Sequence, residues 1–100
     1  MRTGTIDLSS TREIELTAGL SNIFSIELYS ADLSGATTVN VKESVGGTNF
    51  DDAKESGTAI TGTLSASAAL VFTIAGKNKN TYKFEFDGAT TGNVTYIINR

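Results

Sequence analysis

Apolar side chains recur at every second position in seven short runs of this chain, while the spacing of an amphipathic helix is nearly absent. Successive side chains of a β-strand point to opposite faces, so period two commits the chain to strands with one buried and one solvated face. The clearest run is residues 23–30, where Phe24, Ile26 and Leu28 alternate with Ser25, Glu27 and Tyr29. Ile14 and Leu16 make a shorter set, Val39 and Val41 lie within residues 37–45, and Ile60, Gly62 and Leu64 share one side of residues 59–64. Leu70-Phe72-Ile74, Tyr82-Phe84-Phe86 and Val94-Tyr96-Ile98 complete the seven.

Turn formers separate the runs at residues 31–35, 76–80 and 87–92. Residues 64–69 are the one helix-tolerant segment, but short and Ser-rich, and read as a turn or small bulge. Short strands at intervals of about 8–12 residues predict an all-β fold, an antiparallel β-sandwich of about seven strands, jelly-roll-like or immunoglobulin-like. Phe24, Phe72, Phe84 and Phe86 are expected at the centre of its core. Residues 12–100 make the single sandwich domain. Residues 1–11 carry only Ile6 and Leu8 as apolar anchors, which fits an N-terminal arm or an added edge strand.

With 39% hydrophobic and 19% charged residues the chain is too apolar to stay disordered, yet it has no apolar run near the length that crosses a bilayer. The net charge is −3 and the basic residues stand singly, so no stripe exists to neutralise several phosphates. Neither nucleic acid nor membrane is an expected partner. Without cysteine, stability must come from packing and sheet hydrogen bonds, which favours a reducing cytoplasm or assembly with neighbours. Polar Thr3, Gly4, Thr5 and Asp7 follow the start, with no hydrophobic stretch to serve as a signal peptide, an expectation against Sec-type export. Proline is missing too, which removes one common guard of edge strands and leaves Lys42, Lys54 and Lys83 as candidates for that role.

The chain has no His and no Cys, so a catalytic triad or a His-based metal site has no residues to build it. The remaining catalytic candidates are carboxylates, and Glu13, Glu15, Glu27, Glu43 and Glu85 all fall at outward strand positions, where acids solvate a face. No catalytic residue and no cofactor is expected. Asp51, Asp52 and Glu55, with the carbonyls of Gly46 and Gly47, offer oxygens for a cation, but their spacing matches no EF-hand. They read as acids that solvate a loop and cap a turn at residues 50–55, with no metal. Asn93-Val94-Thr95 fits a glycosylation sequon but falls within a strand and is set aside. Tyr82 and Tyr96 read as core, which leaves Tyr29 and Phe50 as the only aromatic surfaces on which a sugar could stack.

Residues 39–53, VNVKESVGGTNFDDA, followed by Gly57-Thr58 and a Thr-rich strand, resemble a pattern in small structural proteins of tailed bacteriophages. There, a strand of the type V-x-V-x-x-S runs into a turn like D-G-T-N-[WF]. Val39, Val41, Ser44, Gly47, Thr48, Asn49 and Phe50 match that form, Gly46 stands where an acid is common, and Phe50 stands where Trp is frequent. The likeness covers about a third of the chain.

The resemblance implies a non-enzymatic virion protein, assembled in the host cytoplasm, that decorates the capsid or a head or tail appendage. Its partners would be the major capsid protein, other virion proteins, or further copies of itself. The expected contacts are Ile6 and Leu8 in the first eleven residues, Tyr29, and Thr48, Asn49 and Phe50 in the 46–57 loop, acting by surface complementarity and strand-edge pairing. For Phe50 the expectation is burial beneath that loop. The alternative is a receptor- or glycan-binding module of a phage tail or bacterial surface protein that uses Tyr29 and Phe50, and a third is a subunit of a cellular assembly such as a pilus.

Overall fold

Each alternating run becomes a strand and turns its apolar face toward a second sheet. The computed structural model describes residues 2–17, 23–75 and 81–99. Its strands are β1 (Arg2–Asp7), β2 (Glu13–Thr17), β3 (Ile23–Tyr29), β4 (Thr37–Ser44), β5 (Asp51–Asp52), β6 (Lys54–Glu55), β7 (Thr58–Ala59), β8 (Thr61–Leu64), β9 (Leu70–Ala75), β10 (Thr81–Asp87) and β11 (Asn93–Asn99). The seven expected strands are present as β2, β3, β4, β8, β9, β10 and β11. Within the first eleven residues β1 is an edge strand, paired antiparallel with β11 from Arg2↔Ile98 to Asp7↔Asn93. The turn expected at residues 76–80 and the side chain of Phe24 lie outside the described residues.

One sheet runs β1-β11-β3-β9 and the other β2-β10-β4, with β5 and β8 both pairing along the far side of β4. All these pairings are antiparallel. Among the eight longer strands, the first, eighth, third and sixth in chain order make one sheet, and the second, seventh, fourth and fifth the other. That interleaving is the order of a jelly roll, which decides between the two sandwich types the sequence leaves open.

Between the sheets, Ile14, Leu16, Val39, Val41, Leu64, Tyr82, Phe84 and Phe86 meet Ile26, Leu28, Phe72, Ile74, Val94 and Ile98, all of them buried. Each such aliphatic side chain contributes about 1.5–3 kcal/mol on leaving water. Phe72 and Phe84 join the layers with ring centroids 5.9 Å apart and planes tilted by 44°. The 65–69 segment is the expected turn, with Ser67 at a φ of 64° and its N–H donating to the Ser30 carbonyl at 2.7 Å.

Two of the three lysines expected to guard edges do not stand on edges. Lys42 and Lys83 lie on β4 and β10, interior strands of the second sheet, and only Lys54, on β6, borders an open edge. A lysine looks the same in sequence on an outward interior position as on an edge. The β2 edge carries Glu13 and Glu15 instead.

The chain between β4 and β8 is an interrupted strand. β5 pairs with the end of β4 through Lys42↔Asp52 and Glu43↔Asp51, and β8 resumes the same line at Asn40↔Thr61. At the break, Ala53 donates its N–H to the Val41 carbonyl at 2.9 Å, while the Val41 N–H donates to the Ile60 carbonyl at 3.2 Å. Two residues therefore oppose one, as in a β-bulge. The Ile60 N–H donates to the Ala53 carbonyl at 2.8 Å and closes the base of a small hairpin, β6-β7. Its two-residue turn has both Ser56 (φ 52°) and Gly57 (φ 81°) left-handed, the type I′ geometry that matches strand twist. A turn at residues 50–55 was expected instead, and strands this short leave no periodicity to read.

Candidate interaction surface

The two outer faces of the sandwich differ in chemistry. On the β2-β10-β4 sheet the outward positions hold Glu13, Glu15, Lys42, Asp52, Lys83, Glu85 and Asp87, whereas Glu43, expected outward, stands opposite inward Tyr82 at the parity of Val39 and Val41. On the β1-β11-β3-β9 sheet the charged outward side chains, among the described residues, are Asp7 at one end and Glu27. The rest of that face includes Thr3, Thr5, Thr95, Thr73, Ser25, Asn93, Asn99, Ile97, Tyr29 and Val71. Cross-strand register arranges it in rows, with Thr3, Ile97, Glu27 and Val71 in one and Thr5, Thr95 and Tyr29 in the next. Tyr29 is 39% exposed and Val71 57% exposed. This face carries little charge and sets an exposed tyrosine and an exposed valine among threonines.

The loop after β4 covers the charged face. Ser44 and Thr81 stand opposite each other at outward positions, yet both are buried, because residues 45–50 fold back across them. The Gly47 N–H donates to Ser44 Oγ at 2.8 Å, and Gly47 sits so near Thr81 that a Cβ there would lie 3.3 Å from its hydroxyl. Lys83 Nζ rests 4.1 Å from the centre of the Phe50 ring and 3.1 Å from Glu13 Oε2, so one ammonium ties the loop to β2. Phe50 is half-buried, not the fully buried plug that was expected. Its anchor is a cation from the distant strand β10.

The expected contact residues do not form one site. Leu8 is 1% exposed and belongs to this chain's own core, with its N–H donating to the Gly92 carbonyl at 2.9 Å, so it meets no partner in the folded chain. Ile6 is half-buried and packs against that core. Tyr29 and Phe50 lie on opposite outer faces, so a sugar platform that uses both is not formed. Thr48 and Asn49 are exposed, and with Glu43, Ser44, Val45 and Asp51 they line an open recess of about 260 Å³. Asp52 pairs with Lys42 Nζ at 2.5 Å, which holds its carboxyl below the usual range, first through that hydrogen bond and then through the lysine's charge. Among the described residues no group of three His, Cys, Asp or Glu side chains is placed to hold a metal ion. Sequence reasoning missed Ile97, Thr95 and Thr5, because outward threonines read as solvated strand positions until register sets them beside Tyr29.

At the end opposite that loop, three connections clasp one another. Asp32 Oδ1 accepts from the Asn93 N–H at 2.9 Å and the Ser30 hydroxyl at 3.1 Å, which lowers the acid's pKa, the Asn93 bond contributing most. Ser34 Oγ accepts from the N–H groups of Thr90 and Thr91, both at 3.3 Å. Asp7, held low by the Ser9 hydroxyl and then the Ser9 N–H, shapes the neighbouring turn.

No protein-family model matches the chain, and no curated protein matches it at a significant level.

Proposed function

We propose that the chain is a non-enzymatic structural protein of a virion, an auxiliary or decoration component that binds a tailed-phage capsid or a head or tail appendage. Its partners are the major capsid protein or other virion proteins, and contact is made through the outer face of the β1-β11-β3-β9 sheet. The observation that carries this reading is the division of charge between the two outer faces. Adhesion to a lattice requires a broad, shallow surface with few ions to desolvate, and the row Thr5-Thr95-Tyr29 with neighbouring Ile97 supplies one. The strand and turn at residues 39–50, which resemble those of phage structural proteins, support the same reading.

The test is binding of the full chain to capsid shells that lack it, together with its presence in purified virions. Tyr29→Ala and Ile97→Lys should each weaken binding about tenfold or more, the equivalent of about 1.4 kcal/mol, as expected when an exposed aromatic anchor or a neutral contact is lost. Glu15→Lys and Glu85→Lys, on the other face, should leave it within about twofold. Absence from virions, or equal effects of the two sets, overturns the reading. Retained binding of isolated polysaccharide that Tyr29→Ala abolishes would point to a glycan module instead.

A further inference from the structure

The four edges of the two sheets are unequally protected. β2 presents Glu13 and Glu15, and the β5-β8 edge is broken into pieces of two and four residues, the first of them acidic. β1 ends in Asp7 and carries Gly4 on its inner side. β9, Leu70–Ala75, has six residues and not one ionisable group, and among the described residues it pairs only with β3. Leu70 is half-buried at this edge and Val71 is 57% exposed. An uncharged edge of this length, whose outer N–H and C=O groups meet no strand among the described residues, is a template for another strand.

We propose that β9 pairs antiparallel with β9 of a second copy about a twofold axis at Phe72, joining two four-stranded sheets into one of eight. Directly opposed residues of an antiparallel pair lie on the same face, so a self-pairing keeps the inner and outer layers only if its axis passes through a residue. With the axis at Phe72, Leu70 faces the partner's Ile74 on the inner side and Val71 faces the partner's Thr73 on the outer. Both contacts join an aliphatic or β-branched pair, and no like charges meet. Among the described residues the nearest charged outward side chains, the two of Glu27, stand at least three strand spacings apart, about 14 Å, which is beyond the screening length at physiological salt. A head-to-tail β9 to β1 contact is heterologous and does not close, whereas the self-pairing is isologous and ends at the dimer. β9 is the edge strand of the sheet whose outer face is assigned to the capsid, and Val71 and Thr73 lie on that face, but the seam is read from the mass of the free chain and does not depend on what the face binds.

Sedimentation equilibrium of the full chain tests it. The expected mass is twice the 10.5 kDa of one chain. Val71→Lys and Thr73→Lys should each give a monomer with an unchanged circular dichroism spectrum, because both side chains are exposed in the single chain and Val71 already faces Glu27 across the ladder. Val71→Lys combined with Thr73→Glu in one chain places opposite charges across the axis and should restore the dimer. A wild-type chain that stays monomeric to millimolar concentration, a dimer indifferent to the single lysines, or a double variant that remains monomeric overturns the proposal.

Discussion

The ring of Tyr96 on β11 lies over the bare Cα of Gly4 on β1, in the space where any other residue at position 4 would carry its Cβ. A Cβ there would meet the ring's Cζ at 2.5 Å, so the ring would have to move. Alanine normally improves a strand by reducing the entropy lost on folding, and here the sign reverses. Gly4→Ala should destabilise by about 1–2 kcal/mol, as overpacking does. In a background of Tyr96→Ala the same substitution should be neutral or mildly stabilising. Urea denaturation of the four proteins checks this, and additive effects would show that the two residues do not share the site.

Lys83 holds the 45–50 loop through Phe50 while bonded to Glu13. Phe50→Ala should release the loop, cost about 0.5–1 kcal/mol, and speed hydrogen exchange at the Gly47 amide. Lys83→Met should speed the same amide, because it removes the cation and leaves the ring. Protection of Gly47 that survives both changes would assign the loop's order to the Ser44 hydroxyl alone.

Acid should loosen the end of the sandwich where Asp32 sits. The folded pKa of Asp32 lies below its unfolded value of about 3.9, as do those of Asp7 and Asp52. Between those values the unfolded chain binds more protons, so stability falls as pH falls. The contribution is present in full above the unfolded value and is lost as pH drops through the folded one. Asp32→Asn should flatten the fall of the urea midpoint below about pH 4, and an unchanged slope would remove Asp32 from this role.

The small hairpin should be separable from the fold it stands on. Residues 54–59 are all exposed, and the left-handed φ of Gly57 costs a side-chain residue about 1–2 kcal/mol. Gly57→Val should therefore disorder the hairpin amides in NMR spectra yet shift the global urea midpoint little. A large global loss would mean that the hairpin braces the sandwich.

The strand faces were legible because period two is a local property, and the described residues of the inward sets, from Ile14 to Ile98, follow it. Strand order was not, since it depends on which distant strand covers which edge, and no window of sequence contains both. The same limit hid the anchor of Phe50, which lies 33 positions away at Lys83. Leu8 was misread for a related reason: one apolar residue in a polar segment looks alike whether its own core or a neighbour receives it. Thr95 and Ile97 joined Tyr29 in a candidate surface only once the β3-β11 register was known.

The base closed by the Ala53 carbonyl and the Ile60 amide makes residues 54–59 an outpouching of a strand and not a link in it. A segment held in that way can be shortened, lengthened or exchanged for an unrelated peptide without retuning the register on either side. It is the place where this molecule can carry a grafted epitope, or drift in length between related chains, while everything beneath it stays unchanged.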